Sequence, residues 1–199
     1  LYSSPLVSFL RETIANGQDS QKEAGVEHPL LLVINRELNS SSDHLTLAIR
    51  DFGTGVSPER FDNIYRNIGS STKRGSNDYI GAFGIGRFSA LAVSDVVFIN
   101  SYYNNVCYSY IMYKDGSSIS IDKLSEVKGD FENGLEVKLD YNGGYNAIGK
   151  IARESHELQY FPSLYIQDDT GEREFTTFNN RKIYRNKHFV TSDFLNRCG

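Results

Sequence analysis

Residues 81–88 read GAFGIGRF and place three glycines, Gly81, Gly84 and Gly86, within six positions. Such a cluster often marks backbone that approaches a phosphate, and several unrelated nucleotide sites contain one. A dinucleotide-binding fold carries the order GxGxxG directly after a strand, whereas this run has the order GxxGxG and follows a polar loop. A Walker loop would end in Gly-Lys-Ser or Gly-Lys-Thr, which this run lacks. The stretch therefore belongs to neither class, and the alternative is that its glycines only allow a tightly packed turn.

The composition is that of an ordinary globular domain. The chain has 199 residues, of which 39% are hydrophobic and 23% charged, and its net charge of −4 gives no footprint for nucleic acid or an anionic membrane. Its two cysteines, Cys107 and Cys198, belong to no CxxC or Cys/His cluster, which excludes a disulfide framework or zinc site and favours a reducing, cytoplasmic setting. The longest apolar run, residues 30–34, is far shorter than a membrane span. We expect one domain over residues 1–199, cut from a longer protein.

The pattern of elements predicts an α+β fold. Leu6, Phe9, Leu10 and Ile14 recur at helical spacing, which predicts a first helix from about residue 6 to residue 22. Helix, two strands, helix, loop, helix and then strands follow one another, an order that suits an α+β layer and not a βαβ series. Two strands are predicted at 28–37 and 44–50, followed by a helix from Ser57-Pro58 to about 68 and a short buried helix after Gly86. Four strands over 94–141 have turns at Asp115-Gly116 and Asn133-Gly134. A helix near 145–160 and an ambiguous strand-like end with a turn at 169–171 complete the prediction.

Three further stretches carry polar groups suited to nucleotide chemistry. Glu12, Asn16 and Asp19 stand at positions i, i+4 and i+7, on one polar face of the first helix. Asp51 ends a predicted strand, and the glycines of the sequence DFGTG allow a close approach of the backbone there. Residues 68–73, IGSSTK, form a hydroxyl-rich loop with one cation.

These four motifs, in this order, resemble the GHKL ATPases, a family that includes gyrase, a heat-shock chaperone, histidine kinases and the mismatch-repair protein MutL. The resemblance covers about residues 1–140 and leaves 141–199 as a C-terminal helix and strands. It implies the Bergerat ATP-binding fold, a two-layer α/β sandwich whose mixed, mostly antiparallel sheet is covered on one face by helices. It also implies ATP and Mg²⁺ as ligands and hydrolysis to ADP and phosphate.

Within that superfamily, several stretches are most similar to the phage rIIA-like proteins. They include RDFGTGVS at residues 50–57, SSTKRGSNDYIGAFGIGRFSA at 70–90 and SDVVFINSYYNN at 94–105. The heat-shock chaperone is a second neighbour through IGAFGIGRFSALAVSD at 80–95. The phage resemblance implies that the protein acts in the cytoplasm of a host cell.

The resemblance assigns roles to the motif residues. Asp51 would accept a hydrogen bond from the exocyclic amino group of adenine, while Gly53 and Gly55 approach the ring. The alternative is that Asp51 only caps an Asx turn, as a lone Asp at the end of a strand more often does. Asn16 would hold Mg²⁺, which prefers hard oxygen ligands. Glu12 would orient or deprotonate the attacking water; its alternative is a surface glutamate paired with a neighbouring cation.

The remaining assignments concern the sugar and the phosphates. Asp19 is a polar residue near the sugar or base. Arg87 is expected in a surface salt bridge, and Lys73 is either a phosphate ligand or solvated. The lid and glycine-loop residues that would contact the nucleotide are Ile68, Gly69, Ser70, Ser71, Thr72, Lys73, Gly81, Phe83, Gly84, Ile85 and Gly86.

Two positions depart from the family pattern. Leu135 follows Gly134 where a threonine usually helps to hold adenine, which predicts relaxed affinity or base selectivity. Gly17 lies inside the first helix, where glycine costs about 1 kcal/mol relative to alanine, and this indicates close packing against Gly17.

Three functions fit the motifs to different degrees. The leading hypothesis is a slowly hydrolysing Mg-ATP domain whose lid closure gates an ATP-dependent homodimer, with full turnover requiring a following domain. The second is a non-catalytic, nucleotide-responsive scaffold in phage lysis control or host interaction, with an unknown protein partner. A histidine-kinase catalytic domain is disfavoured, because such domains generally lack a glutamate four residues before the motif asparagine. Nothing in the chain signals direct binding of nucleic acid or membrane.

Overall fold

The first helix is fixed by its apolar stripe and by both of its ends. The structure, a computed structural model, describes residues 4–36, 44–63, 86–116, 118–142, 164–167 and 173–176. Helix α1 spans Pro5–Ala24, with proline in the first turn where its missing N–H costs nothing. Gly25 ends it in the left-handed conformation, φ 66°, and donates its N–H to the last carbonyls. The predicted helix is confirmed, and its buried residues are Leu6, Val7, Phe9, Leu10, Ile14, Gly17 and Gln21.

One mixed sheet carries the fold. Its strands are β1 Leu30–Arg36, β2 His44–Arg50, β3 Val96–Tyr103, β4 Val106–Asp115, β5 Ser118–Lys128, β6 Gly134–Asn142, β7 Leu164–Gln167 and β8 Arg173–Thr176. Their spatial order is β5-β4-β3-β6-β2-β1-β7-β8. All neighbouring pairs are antiparallel except β1 and β7, which are parallel. This is the mixed, mostly antiparallel sheet that the family resemblance implied, and the ambiguous C-terminal segments supply two of its strands.

The core lies on the face of the sheet that α1 covers. The strand register aligns apolar side chains into a row that crosses six strands: Ile34, Leu47, Leu139, Val97, Met112 and Ile121. All but Ile121 are at most 2% exposed. Because side chains alternate across a strand, this register commits one face to the core, and α1 contacts β1, β2 and β6 there. The protein is therefore a two-layer α+β sandwich.

Two shorter helical segments pack into the same layer. Residues 58–63 are α-helical, and Ser57 caps them because its hydroxyl accepts the Arg60 N–H at 3.2 Å. Phe61 is buried and stacks on Tyr110 with ring centres 3.6 Å apart. The short helix predicted after the glycine loop is a 3-10 helix, Gly86–Ala92, which packs against α1. These two segments complete the helical layer beside α1.

The connections between β3 and β6 correct the predicted series of tight turns. The turn at Asp115-Gly116 is a hairpin, with Gly116 at φ 61°, as predicted. The turn predicted at Asn133-Gly134 is wrong as a hairpin, because β6 pairs with β3 and β2 and the chain crosses past β4 and β3 to reach it. An unpredicted two-residue turn, Asn104-Asn105, joins β3 to β4 with both residues at positive φ.

Several predictions lie outside the described residues: the helix near 145–160, the turn at 169–171 and the end of the helix that begins at 58. Within the described residues, no helix is both long and apolar enough to cross a membrane.

We predict that Gly17→Ala destabilises the protein by about 1–2 kcal/mol, although alanine is the better helix former. A methyl group at residue 17 would lie 2.6 Å from Leu30 Cδ2 and 3.0 Å from Asp51 Cβ, and both of these residues are buried. Urea denaturation measures the change, with the exposed Lys22→Ala of the same helix as control. Wild-type or higher stability of Gly17→Ala contradicts the prediction.

Candidate functional site

The turn after β2 begins with a carboxylate that the main chain holds in place. The Asp51 N–H donates to the Leu135 carbonyl of β6 at 2.9 Å, and Asp51 Oδ1 accepts the Gly53 N–H at 2.9 Å. This second bond is the Asx turn that the sequence offered as an alternative. A carboxylate has about four acceptor positions, so the Asx turn and an additional donor are compatible.

The two glycines of this turn are required by packing. A Cβ at Gly53 would lie 2.5 Å from the Ser20 carbonyl carbon and 2.7 Å from the Gln21 nitrogen, both in the backbone of α1. Gly55 has φ 67°, and a Cβ there would collide with the main-chain oxygen of Tyr102 on β3. The turn is thus pressed against a helix on one side and a strand on the other. The approach of these glycines to a base stays a prediction.

Two consecutive side chains of α1 hydrogen-bond the turn. Ser20 Oγ accepts the Thr54 N–H at 3.1 Å, and Gln21 Oε1 accepts the Phe52 N–H at 3.1 Å. Gln21 is buried and also donates its Nε2 to the His28 carbonyl. The turn therefore cannot shift relative to the last third of α1 without losing several hydrogen bonds.

The predicted residues of α1 lie on the part of the helix that leads to this contact. Glu12 is partly buried, whereas Asn16 and Asp19 are exposed. Asn16 directly precedes Gly17, whose missing side chain lets α1 approach the Asp51 carboxylate. The structure thus brings the helix motif and the Asp51 turn together, although 35 positions separate Asn16 from Asp51.

Most of the lid and glycine loop lies outside the described residues. This applies to Ile68, Gly69, Ser70, Ser71, Thr72, Lys73, Gly81, Phe83, Gly84 and Ile85. Gly86 is described and begins the 3-10 helix that packs on α1. The segment that follows the glycine loop therefore packs against the helix that carries Glu12 and Asn16.

A buried arginine, unpredicted from the sequence, braces the other side of the turn. Arg50 is 7% exposed and donates to the main-chain oxygens of Asp51, Glu132 at 2.6 Å and Asn133 at 3.3 Å. Its guanidinium carbon lies 4.1 Å from the centre of the Tyr102 ring. Burial lowers the pKa of Arg50, and the neighbouring Asp51 charge opposes that shift. Arg50 ties the start of the turn to the connection that precedes β6.

Burial and hydrogen bonding have opposite effects on the pKa of the Asp51 carboxylate. Burial raises the pKa of Asp51 from its ordinary value of 3.8 to about 6. The Gly53 N–H, the Arg50 charge, the Leu135 N–H and the Ser20 hydroxyl each oppose this shift. At neutral pH the group is therefore an ionised acceptor, and it is held within its own turn by the Gly53 N–H and tied to β6 by the bond from the Asp51 N–H to the Leu135 carbonyl.

The donor set of α1 fits Mg²⁺ bound together with a phosphate. Magnesium keeps several waters and takes one or two oxygen ligands from the protein. The Asn16 amide is exposed, and the Glu12 carboxylate lies one helical turn earlier, so oxygen donors lie on one face. Among the described residues, no three His, Cys, Asp or Glu side chains form a metal-binding group.

A cavity of about 660 Å³ borders the same turn, and its lining is unsuited to a triphosphate. It is lined by Ala24, Val26, His28, Phe52, Gly53, Thr54, Asn104, Asn105, Phe131, Glu132 and Asn133. Aromatic rings and amides predominate, no lysine or arginine lines it, and Glu132 would repel phosphate. Of the predicted site residues, Gly53 lines this cavity, whereas Glu12, Asn16, Asp19 and Asp51 do not.

Two residues missed from the sequence take part in the site. Ser20 stands one turn after Asn16 and two turns after Glu12, so the spacing of 12, 16 and 20 on one helix face could have indicated it. Arg50 gave no such signal, because an arginine at the end of a strand is usually exposed. Its burial depends on the connection at residues 132–133, which is remote in sequence.

The comparisons with known proteins agree with this geometry. Residues 5–129 match a family described as histidine kinase-, DNA gyrase B- and HSP90-like ATPases. The match includes α1, the Asp51 turn, the glycine loop and the strands up to β5. It confirms the resemblance to the GHKL ATPases.

Individual relatives are distant and much longer than this chain. The chaperone protein HtpG of Vibrio vulnificus (strain YJ016) is 30% identical over 122 residues, which cover 51% of this chain and 19% of the chaperone. HtpG of Acinetobacter baylyi is 29% identical over 122 residues, covering 51% and 18%. An endoplasmin homolog of Hordeum vulgare is 29% identical over 166 residues, covering 70% and 19%. The chain thus spans about a fifth of the length of these curated relatives.

We predict that ionisation of Asp51 makes wild-type stability fall as pH rises from about 4 to about 6. Over this window the folded state binds more protons than the unfolded state, since burial raises the Asp51 pKa to about 6. The loss is on the order of 2–3 kcal/mol, levels off above the window and is missing in Asp51→Asn.

Urea unfolding of both proteins between pH 4 and pH 7.5 measures this difference. Asp130→Asn, which removes an exposed carboxylate, reports any general effect of the lost charge. Parallel pH profiles of wild type and Asp51→Asn contradict the assignment.

Proposed function

We propose a function from one premise: the chain belongs to the family of histidine kinase-, DNA gyrase B- and HSP90-like ATPases. The proposed function is binding of Mg-ATP, with slow hydrolysis to ADP and phosphate. The observation that carries it is the contact between α1 and the Asp51 turn. The contact brings the helix that carries Glu12 and Asn16, the candidate water-activating and metal-binding residues, next to Asp51, the buried candidate acceptor for the base.

Asp51 suits the adenine end of the nucleotide. Its ionised carboxylate accepts hydrogen bonds and has none to donate, whereas the exocyclic amino group of adenine is a donor. Burial removes competing water and strengthens such a bond. The Gly53 N–H fixes the orientation of the carboxylate before any ligand arrives, which lowers the ordering cost of binding.

Glu12 and Asn16 suit the phosphate end. Bound Mg²⁺ would neutralise charge on the phosphate oxygens. The Asn16 amide oxygen would hold this ion from the exposed face of α1. Glu12, partly buried one turn earlier, would orient the attacking water and accept its proton. The backbone at Gly84 and Gly86 would donate N–H groups to the phosphates, as the GxxGxG loop leads into the 3-10 helix beside α1.

The proposed biological form is a nucleotide-gated switch of the phage rIIA-like type. The stretches 50–57, 70–90 and 94–105 support this assignment by their likeness to those proteins. Closure of residues 68–85 over ATP would favour a homodimer in the host cytoplasm, and hydrolysis would release it.

A second candidate function is a nucleotide-responsive scaffold without turnover. The observation that favours it is Leu135, whose apolar side chain is partly buried against the core where the family carries a hydroxyl. Binding without hydrolysis would then gate a partner in phage lysis control or host interaction.

We predict that Glu12→Ala reduces Mg-ATP turnover at least about 100-fold while the dissociation constant for Mg-ATP changes less than about threefold. General-base catalysis typically contributes a factor of at least this size, and Glu12 is not placed to hold the base. Phosphate release and calorimetry with Mg-ATP measure the two quantities, with Glu23→Ala, exposed at the end of the same helix, as the control.

Each result distinguishes the candidates. Measurable wild-type turnover that Glu12→Ala leaves unchanged contradicts the catalytic role. Wild-type binding without turnover supports the scaffold. If wild-type protein shows neither binding heat nor a thermal shift with Mg-ATP, both proposed functions are contradicted.

A further inference from the structure

A chain of five planar side chains runs along the cavity that borders the Asp51 turn. The rings of His28 and Phe52 have their centres 4.0 Å apart. The guanidinium carbon of Arg50 lies 4.8 Å from the centre of the Phe52 ring and 4.1 Å from that of Tyr102. The Phe131 ring follows at 5.4 Å from Tyr102. His28, Phe52 and Phe131 line the cavity, which therefore offers aromatic surface to a planar group.

The chain of rings already holds one guanidinium. Arg50 lies within about 6 Å of two ring centres, the range in which a cation is attracted to an aromatic face. Its N–H groups bond the main-chain oxygens of Asp51, Glu132 and Asn133, and Arg50 does not line the cavity. The cavity is thus bordered by rings suited to a guanidinium, while the resident guanidinium is bonded elsewhere.

The charge and the acceptors of the cavity favour a cationic donor. Glu132 is exposed, and within the described part of the chain its carboxylate makes no hydrogen bond or ion pair. His28 Nδ1 lies 2.8 Å from the Pro29 carbonyl oxygen, which can only accept, so the neutral ring presents Nε2 as an acceptor. Among the described lining residues there is no lysine or arginine to repel a cation.

Side-chain amides supply the remaining polar lining. Asn104, Asn105 and Asn133 all border the cavity. The turn that carries the first two is held by the bond from the Asn104 N–H to Asn133 Oδ1, at 3.0 Å, and by the Gly129 N–H, which donates to the Asn105 carbonyl at 2.9 Å. A side-chain amide has both donors and an acceptor, so it matches the N–H and C=O groups of a peptide main chain.

The size of the cavity also fits a peptide. Its volume of about 660 Å³ lies within the range of about 300–1,000 Å³ that is typical of ligand pockets. A guanidinium group alone would fill only a small part of this volume. The remaining space can take the alkyl stem and the adjoining main chain, whose amides would meet the asparagine side chains.

We propose that this cavity binds an arginine side chain of a partner protein, with its guanidinium against the aromatic rings and paired with Glu132. Arginine suits the cavity better than lysine does, because its planar fork both stacks on rings and forms two parallel hydrogen bonds with a carboxylate. A wholly apolar occupant would leave the carboxylate and the amides without hydrogen-bond partners. The inference goes beyond the proposed function and does not depend on it, since it concerns the connections beside the turn.

The test is an NMR titration of the nucleotide-free protein with acetyl-Gly-Arg-Gly-amide. Matched peptides carry citrulline or lysine at the centre, and citrulline keeps the planar shape while removing the charge. The variants are Glu132→Gln and Phe131→Leu. Asp130→Asn is the matched control, because Asp130 is an exposed carboxylate of the same connection that does not line the cavity. Glu132→Gln leaves the fold intact, since Arg50 bonds the main-chain oxygen of residue 132 and not its carboxylate.

The arginine peptide is expected to bind roughly fivefold more tightly than the citrulline peptide, as suits an ion pair at an exposed carboxylate. Its largest shifts fall on the amides of Phe52, Thr54 and Asn105. Glu132→Gln abolishes the preference for arginine over citrulline, whereas Asp130→Asn keeps it. Phe131→Leu weakens binding of the arginine peptide about threefold, because the ring surface is lost.

The contrary results are equally specific. Equal binding of the arginine and citrulline peptides, or an arginine preference that survives Glu132→Gln, overturns the ion pair. Absence of binding at millimolar peptide, or shifts confined to residues outside the cavity, overturns the site. If N-acetyl-argininamide binds as tightly as the tripeptide, the peptide contacts are overturned. No nucleotide is present in this titration, so these results leave the proposed binding of Mg-ATP unaffected, and a failure to bind Mg-ATP leaves the arginine site standing.

Discussion

The site depends on a contact between α1 and the turn after β2 that leaves no room for a side-chain carbon on either element. Gly17 of the helix faces Asp51, and Gly53 of the turn faces the backbone of Ser20. Because these two glycines lack side chains, the helix and the turn come close enough for Ser20 and Gln21 to accept hydrogen bonds from N–H groups of the turn. Since Glu12 and Asn16 lie on the same rigid helix, the contact fixes the distance between groups suited to a phosphate and a group suited to a base.

A second constraint is the burial of two opposite charges that are adjacent in the chain. Arg50 and Asp51 are 7% and 6% exposed, and burial shifts each pKa toward the neutral form of the group. Arg50 is satisfied by main-chain carbonyls, whereas the Asp51 carboxylate accepts the Gly53 N–H and the Asp51 N–H donates to β6. With a neutral residue at position 51 the folded protein would be more stable at pH 7. The buried, ionised carboxylate therefore costs folding stability, which indicates that function requires it.

The sequence predicted what local pattern determines. The apolar stripe of α1, the two strands at 30–36 and 44–50, the Ser57 cap and the close packing of Gly17 follow from periodicity or residue type, and the structure confirms them. Long-range register could not be predicted, and it decides the crossover into β6 and the burial of Arg50. At the site, the family pattern pointed to Glu12, Asn16 and Asp51, whereas the contact of Ser20 with Thr54 depends on how the turn packs against the helix. The roles of these motif residues stay predictions.

Leu135 replaces the threonine of the family pattern, yet the folded protein keeps a contact between this position and Asp51. Strand β6 still holds Asp51 at this position, but through the Leu135 carbonyl, which accepts the Asp51 N–H. Main-chain hydrogen bonds do not depend on the side chain, so residue 135 can pack in the core without releasing the turn. What leucine cannot supply is a hydroxyl. The site therefore keeps the hold of β6 on the Asp51 main chain and lacks the side-chain hydroxyl that the family pattern places at residue 135.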